Sequence, residues 1–153
     1  MKYLRMKFVL ASTISFCAVS AYDAFAGDVR LSFVEHNTNF VITDTGKQGD
    51  SVGDIMTFAN KVFDASNQNE AGSDSGFCIR TVVGEAYECN WTTFLEGGQI
   101  TVEGPFFDAK DAVLSVIGGT GSYKNVSGQL KLHARDTKAA EIDFVFELTK
   151  PGQ

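Results

Sequence analysis

Glu35 continues the phase of Val29, Leu31 and Phe33, with Arg30 and Ser32 between them. That alternation reads as a β-strand, whose alternate side chains share one face, so the spacing sets a carboxylate on an otherwise apolar surface. Burial of such a group is costly unless it is paired, and it drives the carboxyl pKa upward. Perturbed carboxyls of this kind concentrate at functional sites, where they steer charge or move protons. The competing reading ends the strand near Glu35 and lets its side chain reach solvent at a rim; both stand at this point. His36 and His133 are the two histidines. Rim positions are the default for both, with His36 a candidate acid–base partner beside Glu35. Nothing resembles a Ser–His–Asp arrangement or zinc-ligand spacing, so no metal site is expected. Asp44 and Asp54 flank the glycine-rich loop 45–51. Turn carboxylates usually bond their own backbone, and Asp44, Asp50 and Asp54 lack the spacing of a known calcium loop. Gly118-Gly119-Thr120-Gly121 has no following Gly-Lys-Ser/Thr and no helix after it, so a hinge fits better than a phosphate loop.

The elements that must position these groups are strands. Period-two alternation recurs at Tyr87, Cys89, Trp91, Thr93 and Leu95, at Ile100 and Val102, at Leu130 and Leu132, and at Ile142, Phe144, Phe146 and Leu148. Turn clusters separate the runs, among them Asp44-Thr45-Gly46, Ser66-Asn67-Gln68-Asn69 and Gly97-Gly98. Ala109 to Val116 could form a short helix, but Val113, Val116 and Ile117 are β-branched and the run ends in glycines, which favours a strand. About eight strands result, and an all-β, eight-stranded antiparallel barrel follows because closure removes exposed sheet edges. Val102-Glu103-Gly104-Pro105 followed by Asp111 to Gly121 reads as strand, turn, strand and glycine hinge.

Residues 1–26 are read as a secretory signal rather than as fold. Lys2, Arg5 and Lys7 precede an apolar run from Phe8 to Val19, and Ala24-Phe25-Ala26 supplies the small residues of a cleavage site after Ala26. The apolar run is too short to span a bilayer, which takes about 20 residues. The expectation is a secreted or periplasmic domain over 27–153, with no stable membrane insertion after cleavage. A net charge of −6 disfavours nucleic acid as a partner. In an oxidising compartment Cys78 and Cys89 can form a disulfide. They face each other across a hairpin if Val83-Gly84 is a tight turn, and the bridge would add about 3 kcal/mol by closing a short loop. Two free thiols, one of them lining a cavity, are the alternative.

The order and spacing of several segments resemble the allene oxide cyclase and dirigent barrels. They are Glu35-His36-Asn37, Phe58-Ala59-Asn60-Lys61-Val62-Phe63, Gly76-Phe77-Cys78-Ile79, Gly98 to Pro105, Ile117 to Gly121, Gly128 to Leu132 and Phe144-Val145-Phe146. The resemblance implies a cofactor-free barrel with an apolar cavity, often assembled as a homotrimer, that guides cyclisation, isomerisation or coupling of a hydrophobic small molecule. It further implies that Glu35 is the charge-steering carboxylate, that Asn37 matches a water-holding asparagine, and that Cys78 matches a cavity cysteine. Phe58, Trp91 and Phe106 join Cys78 as expected substrate contacts. Two departures accompany it: no Ser-Pro pair follows Asn37, and Phe106 stands where the cyclases carry tyrosine. A non-catalytic carrier using the same cavity is the second reading.

Overall fold

The computed structural model describes residues 27–150. The expected signal segment and its cleavage point after Ala26 lie outside the described residues. Nine strands follow one another: β1 (Gly27–His36), β2 (Phe40–Thr43), β3 (Ile55–Asp64), β4 (Glu70–Val82), β5 (Ala86–Leu95), β6 (Gly98–Phe107), β7 (Ala112–Gly119), β8 (Ser127–Ala134) and β9 (Glu141–Lys150). Each pairs antiparallel with its neighbours in the order β1-β9-β8-β7-β6-β5-β4-β3-β2, and β1 also pairs with β3. That last ladder closes eight strands into the expected barrel. β2 is the strand that alternation did not reveal. It lies on β3 at Ile55–Phe58, beyond the end of β1, which pairs with β3 only from Lys61 to Asp64. All four β2 residues are exposed, so no buried face imposed a pattern on them.

The barrel is packed at one end and hollow towards the other. Phe33, Phe144 and Phe146 meet edge to face, and Ile100, Leu130 and Phe146 are fully buried around them. Edge-to-face aromatic pairs fill a narrow barrel at native density without a void. The hollow end is where β1 finishes and β9 begins.

Two local readings are corrected. Gly104-Pro105 is not a turn but a kink inside β6, with Gly104 at φ +148°. The β6–β7 ladder stops at Glu103–Ser115, so Pro105 forfeits no bond to β7. The β4–β5 hairpin turns through three residues, Val83 to Glu85, rather than through Val83-Gly84 alone. A bulge between Arg80 and Val82 absorbs the extra residue and restores the register, so Cys78 still faces Cys89. The two are joined as a disulfide. The expected strand forms as β7 from Ala112 onward and takes in Gly118 and Gly119, and a single 3-10 turn, Gly121–Tyr123, follows it.

Candidate functional site

Glu35 sits near the end of β1 and is 4% exposed, so the rim reading fails and the buried one holds. Its Oε1 accepts a 2.7 Å hydrogen bond from Asn60 Nδ2 on β3. Asn60 cannot turn round, because its Oδ1 already accepts the backbone N–H groups of Thr38 and Asn39. The segment leaving β1 therefore fixes an amide that presents its N–H₂ to the carboxyl. Asn60 Nδ2 also lies 3.3 Å from Asn37 Oδ1, and Asn37 Nδ2 donates to the Ala139 carbonyl. Burial raises the Glu35 pKa to about 7, and the Asn60 bond opposes the rise only in part.

A second carboxyl, which sequence reading passed over, stands behind it. Asp74 on β4 is 1% exposed and lies in register with Asn60 on one side and Thr93 on the other. Glu35 and Asp74 are near enough to share a hydrogen bond once one of them carries a proton, and the Asn60 backbone lies close to Asp74 as well, yet as a carboxylate Asp74 has no donor in good hydrogen-bonding geometry at either oxygen. Desolvation first, and the Glu35 charge second, push its pKa up to about 9. Thr93 Oγ1 and Trp91 Nε1 are likewise buried without partners. Native proteins leave few such groups, and a cluster of them marks a place for a ligand, water or proton. The signal was available in the strand phase. Counting back by twos from Cys78 gives Gly76 and then Asp74 on the inward face, but Gly72 to Gly76 is too polar to announce a strand.

Above this polar floor the walls are apolar. Met56, Phe58, Cys78, Trp91, Phe106 and Phe144 line the cavity with Glu35 and Asn37. All four expected contact residues, Phe58, Cys78, Trp91 and Phe106, thus meet around one space. Cys78 lines it as half of the disulfide rather than as a free thiol. Trp91 stands edge to face with Phe58 and tilted against Phe144. It fits because its cross-strand partner is Gly76, where a Cβ would collide with the Trp91 Cβ and backbone. The cavity is small, about 30 Å³ in volume. It is a narrow slot between the aromatic side chains.

The slot opens beside the unpaired stretch of β6 and β7. Phe106, Leu132 and Ile142 border both the slot and a vestibule rimmed by Lys110, Asp111, His133 and Arg135. Arg80 braces the neighbouring part of the mouth. Its guanidinium donates to Asp50 and to both oxygens of Asp108, and it lies 3.6 Å from the centre of the Tyr87 ring. One side chain thereby ties the 44–53 loop, the β4–β5 hairpin and the β6–β7 loop together.

The remaining candidates play local parts. His36 stacks on Phe63 and bonds Asn67 Oδ1, on the opposite face of β1 from Glu35, so it is no acid–base partner to that carboxyl. His133 pairs with Asp111 on the exposed rim. Asp54 accepts from Thr45 N, Ser51 N and Ser51 Oγ, which lowers its pKa, while Asp44 accepts from Gly49 N. Both carboxylates are turn formers. Asp50 is committed to Arg80 and Gly84 N. Among the described residues no three His, Cys, Asp or Glu side chains are grouped to hold a metal ion.

Comparison with known proteins places this geometry. The allene oxide cyclase family model matches residues 33–140, more than half of the chain. A pyocyanin demethylase is similar at 27% identity and a TM-score of 0.68, over 79% of this chain and 100% of that one. A pterocarpan synthase dirigent protein shares the fold at 12% identity and a TM-score of 0.70, over 84% of this chain and 87% of its own. So does a Diels-Alderase from Streptomyces koyangensis, at 11% identity and a TM-score of 0.62, over 88% of this chain and 72% of its own.

Proposed function

This chain belongs to the allene oxide cyclase family, and from that premise we propose that it is an exported, cofactor-free barrel that steers the cyclisation, isomerisation or stereoselective coupling of a hydrophobic small molecule. The observation that carries the proposal is Glu35, a carboxyl with a raised pKa at the base of an aromatic slot. Apolar walls select a hydrophobic body and exclude water, so few other charges compete with the carboxylate. A positive charge developing about 4 Å from ionised Glu35 is stabilised by about 4 kcal/mol at an effective dielectric constant of about 20. The faces of Phe58, Trp91 and Phe144 favour the same charge. A reacting molecule held flat between them can turn only certain faces to its own reactive end, which is how a cavity without a nucleophile sets stereochemistry.

A panel of prochiral unsaturated epoxides and phenoxy-radical precursors, with pyocyanin included because a relative acts on it, tests the proposal. The wild type should bias the product enantiomer ratio, and Glu35→Gln should return it to the uncatalysed value. Equal ratios with both proteins across the panel would overturn it. A carrier role is favoured by one observation: both ends of the Asn37 amide are engaged, by Asn60 and by Ala139. Under that reading N-phenyl-1-naphthylamine, a neutral apolar probe, binds wild type and Glu35→Gln alike and no product bias appears with either. The outer face bears Val41, Phe77 and Ile79 as exposed apolar residues, which supports the homotrimer implied by the family resemblance.

A further inference from the structure

Glu35 and Asp74 are two buried carboxyls on one inner face, with no basic side chain between them. The groups that face Asp74 are Glu35 from β1, Asn60 from β3 and Thr93 from β5, and of these only Glu35 titrates. The β9 side of the slot is formed by Ile142 and Phe144, which bring neither charge nor proton. Two carboxylates this close in so dry a place cannot both stay ionised at neutral pH, so the pair keeps at least one proton. Asp74 is the better keeper. Both are buried, but neither oxygen of ionised Asp74 has a donor, whereas Glu35 has the Asn60 amide to support its charged form. Glu35 lines the slot and Asp74 does not, so only Glu35 can reach a bound molecule.

We propose that Glu35 and Asp74 act as one proton-sharing pair, in which Asp74 is a positioning residue that holds a proton behind Glu35. Glu35 then gives a proton to an oxygen or nitrogen of the substrate and takes one back from carbon. The inference rests on the reading of the slot as the reaction site. Its first step starts from the form in which both carboxyls are protonated; it breaks the Glu35 O–H bond and forms an O–H or N–H bond on the substrate, leaving the electron pair on the Glu35 carboxylate. That carboxylate, steadied by the Asp74 hydroxyl, faces the positive charge now on the substrate. In the last step a C–H bond breaks, its electrons fall into the cation, and the proton returns to Glu35. No proton or electron is consumed, so product and substrate are isomers. The substrate class is a hydrophobic molecule with a basic oxygen or nitrogen next to unsaturation, such as a vinyl epoxide, an enone or an imine.

Carbon-13 labelling of Asp and Glu carboxyls, with NMR titration of the wild type, Asp74→Asn and Glu35→Gln, tests the pairing without any substrate. The wild type should show two carboxyls that titrate above the ordinary range in linked steps. Asp74→Asn should leave one such step, and Glu35→Gln should move the Asp74 step down by about one pH unit or more, since the raising charge is gone. An Asp74 that titrates in the ordinary carboxylate range, or one whose curve Glu35→Gln leaves unmoved, overturns the pair. If Asp74→Asn fails to fold, Glu35→Gln alone decides. N-phenyl-1-naphthylamine binding separates the two readings. Binding with unlinked titrations removes only the pair, and linked titrations without binding remove only the slot's role as a ligand site.

Discussion

Glu35→Gln should change how stability depends on pH more than it changes stability itself. Unfolded, Glu35 titrates near 4.5; folded, it titrates near 7. Between those values the folded protein keeps a proton that the unfolded chain has released, so stability present at low pH is lost as pH rises to about 7. The rise corresponds to about 3 kcal/mol. At 4% exposure the group has little solvent to screen it. Asp74 adds to the loss, because its folded pKa is also raised and continues to draw stability down until about 9. Glutamine keeps the shape, and its amide oxygen can still accept the Asn60 bond, but it has no proton to lose. Urea unfolding at about pH 4.5 and about pH 8.5, followed by fluorescence, measures the effect directly. Trp91 is the sole tryptophan and lines the slot, so one signal reports both unfolding and the site. The fall in stability between the two pH values should be smaller in Glu35→Gln by about 3 kcal/mol or more, because Asp74 also loses the charge that raises it. Surface groups titrate alike in both proteins and cancel in that comparison. Equal falls would refute the assignment of Glu35 as a desolvated, proton-holding group.

Other expectations concern the frame around the slot. Reducing the Cys78–Cys89 bond, or replacing both residues by serine, should cost about 3 kcal/mol in urea unfolding, with no change in fold by circular dichroism. Gly76→Ala should cost about 1–3 kcal/mol through overpacking and shift Trp91 emission, because the new methyl meets the indole-bearing residue across the ladder. Arg80→Met should cost about 2 kcal/mol, since the half-exposed Asp50 and Asp108 can rehydrate when left alone. It should also speed proteolysis within the 44–53 loop, and unaltered cleavage rates would argue against the clasp. Export with its signal intact should yield a mature chain beginning at Gly27, which N-terminal sequencing of the secreted protein reads directly.

Much of the barrel was legible because strand alternation is a local property. Tyr87 to Leu95 and Ile142 to Leu148 each bury alternate side chains in a packed interior and turn the others outward, and that asymmetry is written into consecutive residues; Val29 to Glu35 keeps it less cleanly, with Val29 exposed and Val34 buried. β2 escaped because all four of its side chains are exposed and nothing selected a pattern. The first half of β4 escaped for the opposite reason: its inward positions, Gly72, Asp74 and Gly76, serve a polar floor and a close approach, so they look like loop. Gly104-Pro105 imitated a turn because glycine and proline mark kinks and turns alike. Only the neighbouring ladder, which ends one residue earlier, tells the two apart.

The sequence alone determined that a carboxylate lies on an apolar strand face and that aromatic residues recur at inward positions, and it put Cys78 opposite Cys89 only on the condition of a two-residue turn, in whose place the structure has a three-residue turn and a bulge between Arg80 and Val82. These follow from the two-residue period of a strand and the steric limits of a hairpin. Only the tertiary structure decided that Glu35 is buried rather than at the rim, because its burial comes from Val62 and Asn60, brought beside it by the β1–β3 closure. The same closure sets Asp74 behind Glu35 across nearly forty residues of chain, a distance over which no periodicity carries information. Two carboxyls become one proton-holding site when the barrel shuts, and the reason is desolvation, which belongs to the enclosed space rather than to either residue.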